Sequence, residues 1–131
     1  MYRFLEHTAD VFFEAEGETL AEAIEEAARA MAEVSAEDME VVEEFDMDIS
    51  AQNLEELVVS TLSNLLGEAE ARSLFPAGIK ILEIDEKNFR LKAKGYAGKG
   101  NPKADIKAVT YHRLFVGKED GKWKIRILLD V

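Results

Sequence analysis

The sequence predicts an α+β fold: two amphipathic helices packed on one face of a mostly antiparallel sheet, in a two-layer single domain over residues 1–131. Three observations carry this. Two stretches repeat apolar residues at helical spacing, each behind an N-cap pattern. A run after the first helix alternates apolar and acidic residues, as a half-buried strand does. The last third is rich in alternating segments separated by turn residues.

Residues 2–16 read as one or two strands, interrupted at His7, Thr8 and Ala9, with Phe4, Val11 and Phe13 as β-favouring side chains. Gly17 and Glu18 make a turn. Thr19 with Glu22 is a capping box. Leu20, Ala23, Ile24, Ala27, Ala28 and Met31 then form one apolar stripe opposite a glutamate-rich face. From about Val41 the period changes, and Phe45, Met47 and Ile49 alternate with Glu44, Asp46 and Asp48. Asn53 followed by Glu56 opens a second helix, whose Leu54, Leu57, Val58, Thr61, Leu62, Leu65, Leu66 and Ala69 make a continuous buried face. Pro76 and Gly78 are expected to stop it.

Beyond that point the reading is two hairpins. Residues 79–84 and 89–96 pair around residues 85–88, and residues 106–116 and 123–129 pair around residues 118–122. Residues 97–104, with glycines, a proline and lysines, read as a loop.

The chain has no cysteine, which removes disulfides, thiolate zinc sites and thiol nucleophiles. No apolar run approaches the ~20 residues of a membrane span, and residues 1–6 lack the order of a signal peptide. A cytoplasmic protein is expected. Net charge is −11 and uneven: residues 1–78 hold 20 acids and 3 bases, residues 79–131 hold 7 acids and 13 bases. So acidic a chain does not lie wholly on nucleic acid. The acidic half is either a solvated face or a dock for a basic protein partner. Nucleotide-binding loops and the common hydrolase signatures are absent.

Candidate chemistry lies at Asp10 and Asp130. In the final strand Lys124, Arg126, Leu128 and Asp130 share the wetter face, and Val131 follows. If the first and last strands are neighbours, Asp10 and Asp130 meet, and such carboxylates repel unless a cation or protons intervene. An all-oxygen set favours calcium or magnesium; nitrogen from His7 or His112 would shift it toward manganese or zinc. Two surface aspartates without a metal is the plainer reading of the same residues. Lys107 is either a solvated strand lysine or a partner contact. His112 alternates with Ile106, Ala108, Thr110 and Leu114, so a buried, hydrogen-bonded imidazole is its default. Support of the metal site comes next, and a catalytic base last. His7 caps the bend or lines the site. Trp123 is expected in the core.

Three segments carry a resemblance. Glu6, His7, Thr8, Ala9 and Asp10 stand near the start. Ile106, Lys107, Ala108, Val109, Thr110, Tyr111 and His112 stand near the end, and Leu128, Leu129, Asp130 and Val131 follow. Together they resemble the archease family, small proteins that assist the GTP-dependent tRNA-splicing RNA ligase. The resemblance implies a non-enzymatic activator that promotes guanylylation of the ligase and its multiple turnover. It implies a divalent metal, calcium first with magnesium or manganese as alternatives, at positions matching Asp10, Asp130 and Val131. It implies a role in activation for Lys107. The ligase is the implied protein partner; direct contact with RNA is left open. The chain departs from the family pattern at Phe12, at Thr61 and Asn64, and in the loop of residues 97–104, which has neither the acid nor the histidine many members place there. Rival readings are a chaperone or modulator of RNA-modifying enzymes such as methyltransferases, and a small metal-dependent hydrolase.

Overall fold

A computed structural model describes residues 1–5 and 10–131. The chain runs β1 (Tyr2–Leu5), β2 (Val11–Gly17), α1 (Leu20–Ser35), β3 (Ala36–Ser50), α2 (Leu54–Ala71), β4 (Phe75–Asp85), β5 (Arg90–Pro102), β6 (Ala108–Glu119) and β7 (Lys122–Asp130). The class is α+β, as expected, and among the described residues every strand pairing is antiparallel. The described strands divide between two sheets, β1-β2-β7-β6 and β3-β5-β4. The helices touch both: α1 lies against β2 and β4, α2 against β6 and β4. One hydrophobic cluster fills the space between, from Phe13, Ile125, Ile127 and Leu129 of the first sheet to Phe45, Met47 and Leu91 of the second.

Local chemistry sets both helix starts. The Thr19 hydroxyl accepts from Glu22 N–H at 3.1 Å, and the Asn53 side chain accepts from Glu56 N–H at 2.7 Å, so each supplies an acceptor to an otherwise unpaired donor. The Glu22 carboxylate reaches back to Glu18 N–H at 2.9 Å. Buried Ser35 and Thr61 turn their hydroxyls onto the carbonyls of Met31 and Leu57 in their own helices. Thr61 is thereby a satisfied core residue, and Asn64 is exposed.

The end of α2 corrects the sequence reading. Pro76 and Gly78 do not stop the helix; they lie within β4, an edge strand where proline needs no ladder donor. The stop comes earlier. Ser73 takes a left-handed φ of 57°, its N–H meets Glu70 O at 2.9 Å, and Leu74 N–H meets Ala69 O at 2.9 Å. This is a Schellman cap built without glycine.

Residues 97–104 are a second correction. Strand β5 continues through Pro102, paired with β3 across two register shifts. The glycines there serve close approach: a Cβ on Gly98 would stand 2.6 Å from Glu40 O, and one on Gly100 2.7 Å from Glu37 O. The β6–β7 turn is tighter than expected. It is Asp120 and Gly121, both at positive φ (54° and 77°), the two-residue turn that matches strand twist. Ile106 is buried but precedes β6, and Trp123 is half-buried against the cluster.

Candidate functional site: one corner of the four-stranded sheet

Strand β7 lies between β2 and β6. Its register fixes what gathers at its end. Val11 pairs with Leu129, so Asp10 and Asp130 are the residues next in line on the two strands. On the other side Ala108 pairs with Asp130, and Lys107 N–H donates to Asp130 O at 2.7 Å. Asp10, Asp130 and Lys107 thus belong to one corner, although Asp10 and Lys107 stand far apart in the chain. Alternation along β7 buries Ile125, Ile127 and Leu129 and leaves Asp130 exposed; Leu128, on the other face, is buried too. Asp10 is half-buried, Lys107 is exposed, and Val131 packs in part on the hydrophobic cluster.

The segment before Lys107 reaches this corner. Lys103 N–H and Ala104 N–H donate to Ser35 O and Val34 O at 3.0 and 3.2 Å, tying the segment to the end of α1. Lys103 and Ala104 then share an apolar groove with Phe4, Phe12 and Asp10. The atypical residues of the sequence reading, Phe12 and the stretch through Lys103, therefore border Asp10.

His112 corrects its default: it is exposed, not buried. The strand alternation that suggested burial is broken by a bulge. Thr110 pairs with Leu128 and Phe115 with Arg126, so Tyr111, His112, Arg113 and Leu114 face only Ile127. His7 lies outside the described residues. Among the described residues, no three His, Cys, Asp or Glu side chains converge as a metal site.

One charged group went unnoticed in the sequence. Glu14 of β2 is 5% exposed. Arg126 Nε donates to it at 2.9 Å and Arg3 lies at 3.3 Å, while Arg126 also holds Glu119. Burial pushes the Glu14 carboxyl upward, but the Arg126 hydrogen bond and the Arg3 charge outweigh that and hold it below the usual glutamate range. The signal was available: a lone acid among Phe12, Phe13 and Ala15, and a lone arginine between Ile125 and Ile127, each need a partner.

A profile of the Archease protein family (MTH1598/TM1083) matches residues 2–131. The chain belongs to the archease family. A protein archease of Methanosarcina mazei is 35% identical over 99% of this chain and 95% of its own length. One from Sulfolobus acidocaldarius is 31% identical over 99% and 98%. Among solved structures, protein 1598 of Methanobacterium thermoautotrophicum superposes with a TM-score of 0.77 at 32% identity, covering 99% of this chain and 98% of that one. A Thermotoga maritima archease, described as a possible chaperone, superposes with a TM-score of 0.73 at 23% identity, covering 97% and 94%, and speaks to the fold alone. The antiparallel sheets and two helices are thus the archease architecture. No described helix is long and apolar enough to cross a membrane.

Proposed function

We propose that this chain is a cytoplasmic accessory protein, not an enzyme, that activates the tRNA-splicing RNA ligase by promoting its guanylylation and multiple turnover. Family membership over the whole chain supports the class of activity. The observation that carries the site is the register of β2 on β7, which makes Asp10 and Asp130 successive neighbours at one sheet end.

The donors at this corner suit a hard divalent cation. Asp10 and Asp130 offer carboxylate oxygens and Val131 a backbone oxygen, an all-oxygen set that favours calcium, with magnesium or manganese as alternatives. The Asp130 carbonyl is already taken by Lys107 N–H, and its carboxylate stands exposed at the strand end. A bound cation would supply fixed positive charge there. The chain's own residues do the remaining work: β7, flanked by β2 and β6, holds Asp130 through its pairing with Ala108, and Lys107 is presented to solvent beside it. The acidic first 78 residues provide a dock for a basic, RNA-binding partner, steering encounter over distances of about a Debye length.

The test is a ligase guanylylation assay with and without the protein. Wild-type protein is expected to speed guanylylation and restore repeated turnover. Asp10→Ala and Asp130→Ala are expected to lower stimulation at least about 10-fold and to weaken calcium binding in calorimetric titration. Full stimulation by both variants sinks the assignment of the corner. Protection of unrelated clients without any effect on the ligase would support the chaperone reading instead, and turnover of a substrate by the protein alone would support the hydrolase reading.

A further inference from the structure

The bulge in β6 is built, not frayed. On one shoulder the Thr110 hydroxyl donates to Leu128 O at 2.9 Å. On the other, Arg126 lies 4.7 Å over the Phe115 ring. Between them Tyr111, His112 and Arg113 are all exposed, and Tyr111 keeps 58% of its surface in solvent. Arg113 adopts a left-handed φ of 59°, which is uncommon for a side chain of its size. Its guanidinium is stacked 4.5 Å above the ring of Phe12. Phe12 and its cross-strand neighbour Leu128 are both buried, yet outside the main hydrophobic cluster. The stack thus covers a small apolar patch and fixes the bulge over it.

A bulge on an edge strand can serve only to block pairing with other chains, and β6 is an edge strand. That purpose needs charge or twist. It does not need an exposed tyrosine, nor a backbone held in a costly conformation. The surrounding charge is also basic. In a chain of net charge −11, residues 103–113 hold Lys103, Lys107 and Arg113 with His112 against the single acid Asp105. An aromatic and cationic projection within the basic half of the chain, where residues 79–131 hold 13 bases and 7 acids, complements a concave, anionic surface. A long nucleic acid is the poorer fit, because the acidic residues of the first half would repel its phosphates.

We infer that Tyr111, His112 and Arg113 form a rigid knuckle that seats in an anionic cleft on the partner protein, beside the Asp10 and Asp130 corner. This rests on the activator reading above and names the surface through which it acts. Tyr111 is the anchor, burying its ring on association, and Arg113 meets carboxylates at the cleft wall. The strain at Arg113 is spent in holding the tyrosine ready before the partner arrives.

The experiment measures binding of the full-length protein to immobilised tRNA-splicing ligase, at two salt concentrations, with thermal melts as the check on folding. Tyr111→Ala is expected to weaken binding about 10- to 100-fold with an unchanged melt. Arg113→Gly keeps the left-handed backbone while removing the guanidinium, and is expected to weaken binding about 10-fold and to flatten its salt dependence. Equal binding by wild type and both variants overturns the knuckle alone. No binding by the wild type overturns the knuckle and the activator reading together. Capture of a single-stranded RNA oligonucleotide by the wild type, lost in both variants while ligase binding is kept, assigns the knuckle to nucleic acid and overturns the proposal.

Discussion

In the β1-β2-β7-β6 sheet, Glu14 is 5% exposed and lies between Arg126 and Arg3. In the β3-β5-β4 sheet, Asp46 has an 85% exposed side chain, and its partner Lys94 stands across the ladder with Asp48 facing Lys92 beyond it. Both are cross-strand ion pairs on antiparallel strands. Their surroundings separate them. Glu14 is buried two positions from the buried Phe12–Leu128 pair on the same strands, and Phe115 lies against its partner Arg126, so the charge is taken out of water and depends on its partners. Around Asp46 water does most of the solvation, and the pair adds little. The comparison teaches that the buried network holds register next to the candidate corner, while the exposed ladder leaves its charges to water.

The largest effect should come from Glu14→Ala, which leaves half-buried Arg126 held by Glu119 alone. A loss of about 3 kcal/mol in urea unfolding is expected, and a loss under ~1 kcal/mol would show the network to be solvated after all. The same group predicts a pH dependence. The folded value lies below the unfolded one, so its stabilisation is complete at neutral pH and is lost as pH falls through the depressed folded value, below the ordinary 4.5. Wild type should therefore lose stability steeply in that acid range, and Glu14→Gln should flatten the curve; matching curves would remove the depressed carboxyl from the account.

Next in size is Gly98→Ala in the other sheet. The added Cβ would meet the Glu40 carbonyl at 2.6 Å, a backbone atom that yields only if the strands part. Overpacking of this kind costs about 1–3 kcal/mol, read as a lowered urea midpoint. An unchanged midpoint would mean that β3 over Ala36–Ser50 shifts freely on β5. The smallest effect belongs to Asp46→Asn, which should leave the melting midpoint where it is at 0.15 M salt. A clear fall there would erase the distinction between the sheets.

Much of the fold was legible because local chemistry specifies it. Thr19 and Asn53 mark helix starts by the acceptors they offer, and Asp120 with Gly121 marks a hairpin by the backbone sign it permits. Phe45, Met47 and Ile49 announce one buried face. What was misread depended on partners distant in sequence. Glycines 98 and 100 look like loop punctuation until β3 is seen pressed against them. Ser73 gives no glycine-like signal for the cap it makes. His112 keeps the parity of a buried residue, and only the pairing of Phe115 with Arg126 reveals the bulge that turns it outward. The Asp10 and Asp130 corner was legible as a conditional: once the first and last strands adjoin, the register does the rest.

That adjacency has a kinetic cost. Arg126 and Glu14 meet across 112 positions of sequence, whereas the turns joining β4 to β5 and β6 to β7 are short. Loop closure of that span sacrifices chain entropy before any contact repays it, the hallmark of slowly folding β topologies. A chain that has formed its helices and hairpins but not this pairing has not yet brought Asp10 beside Asp130. Assembly of this corner therefore waits on completion of the fold.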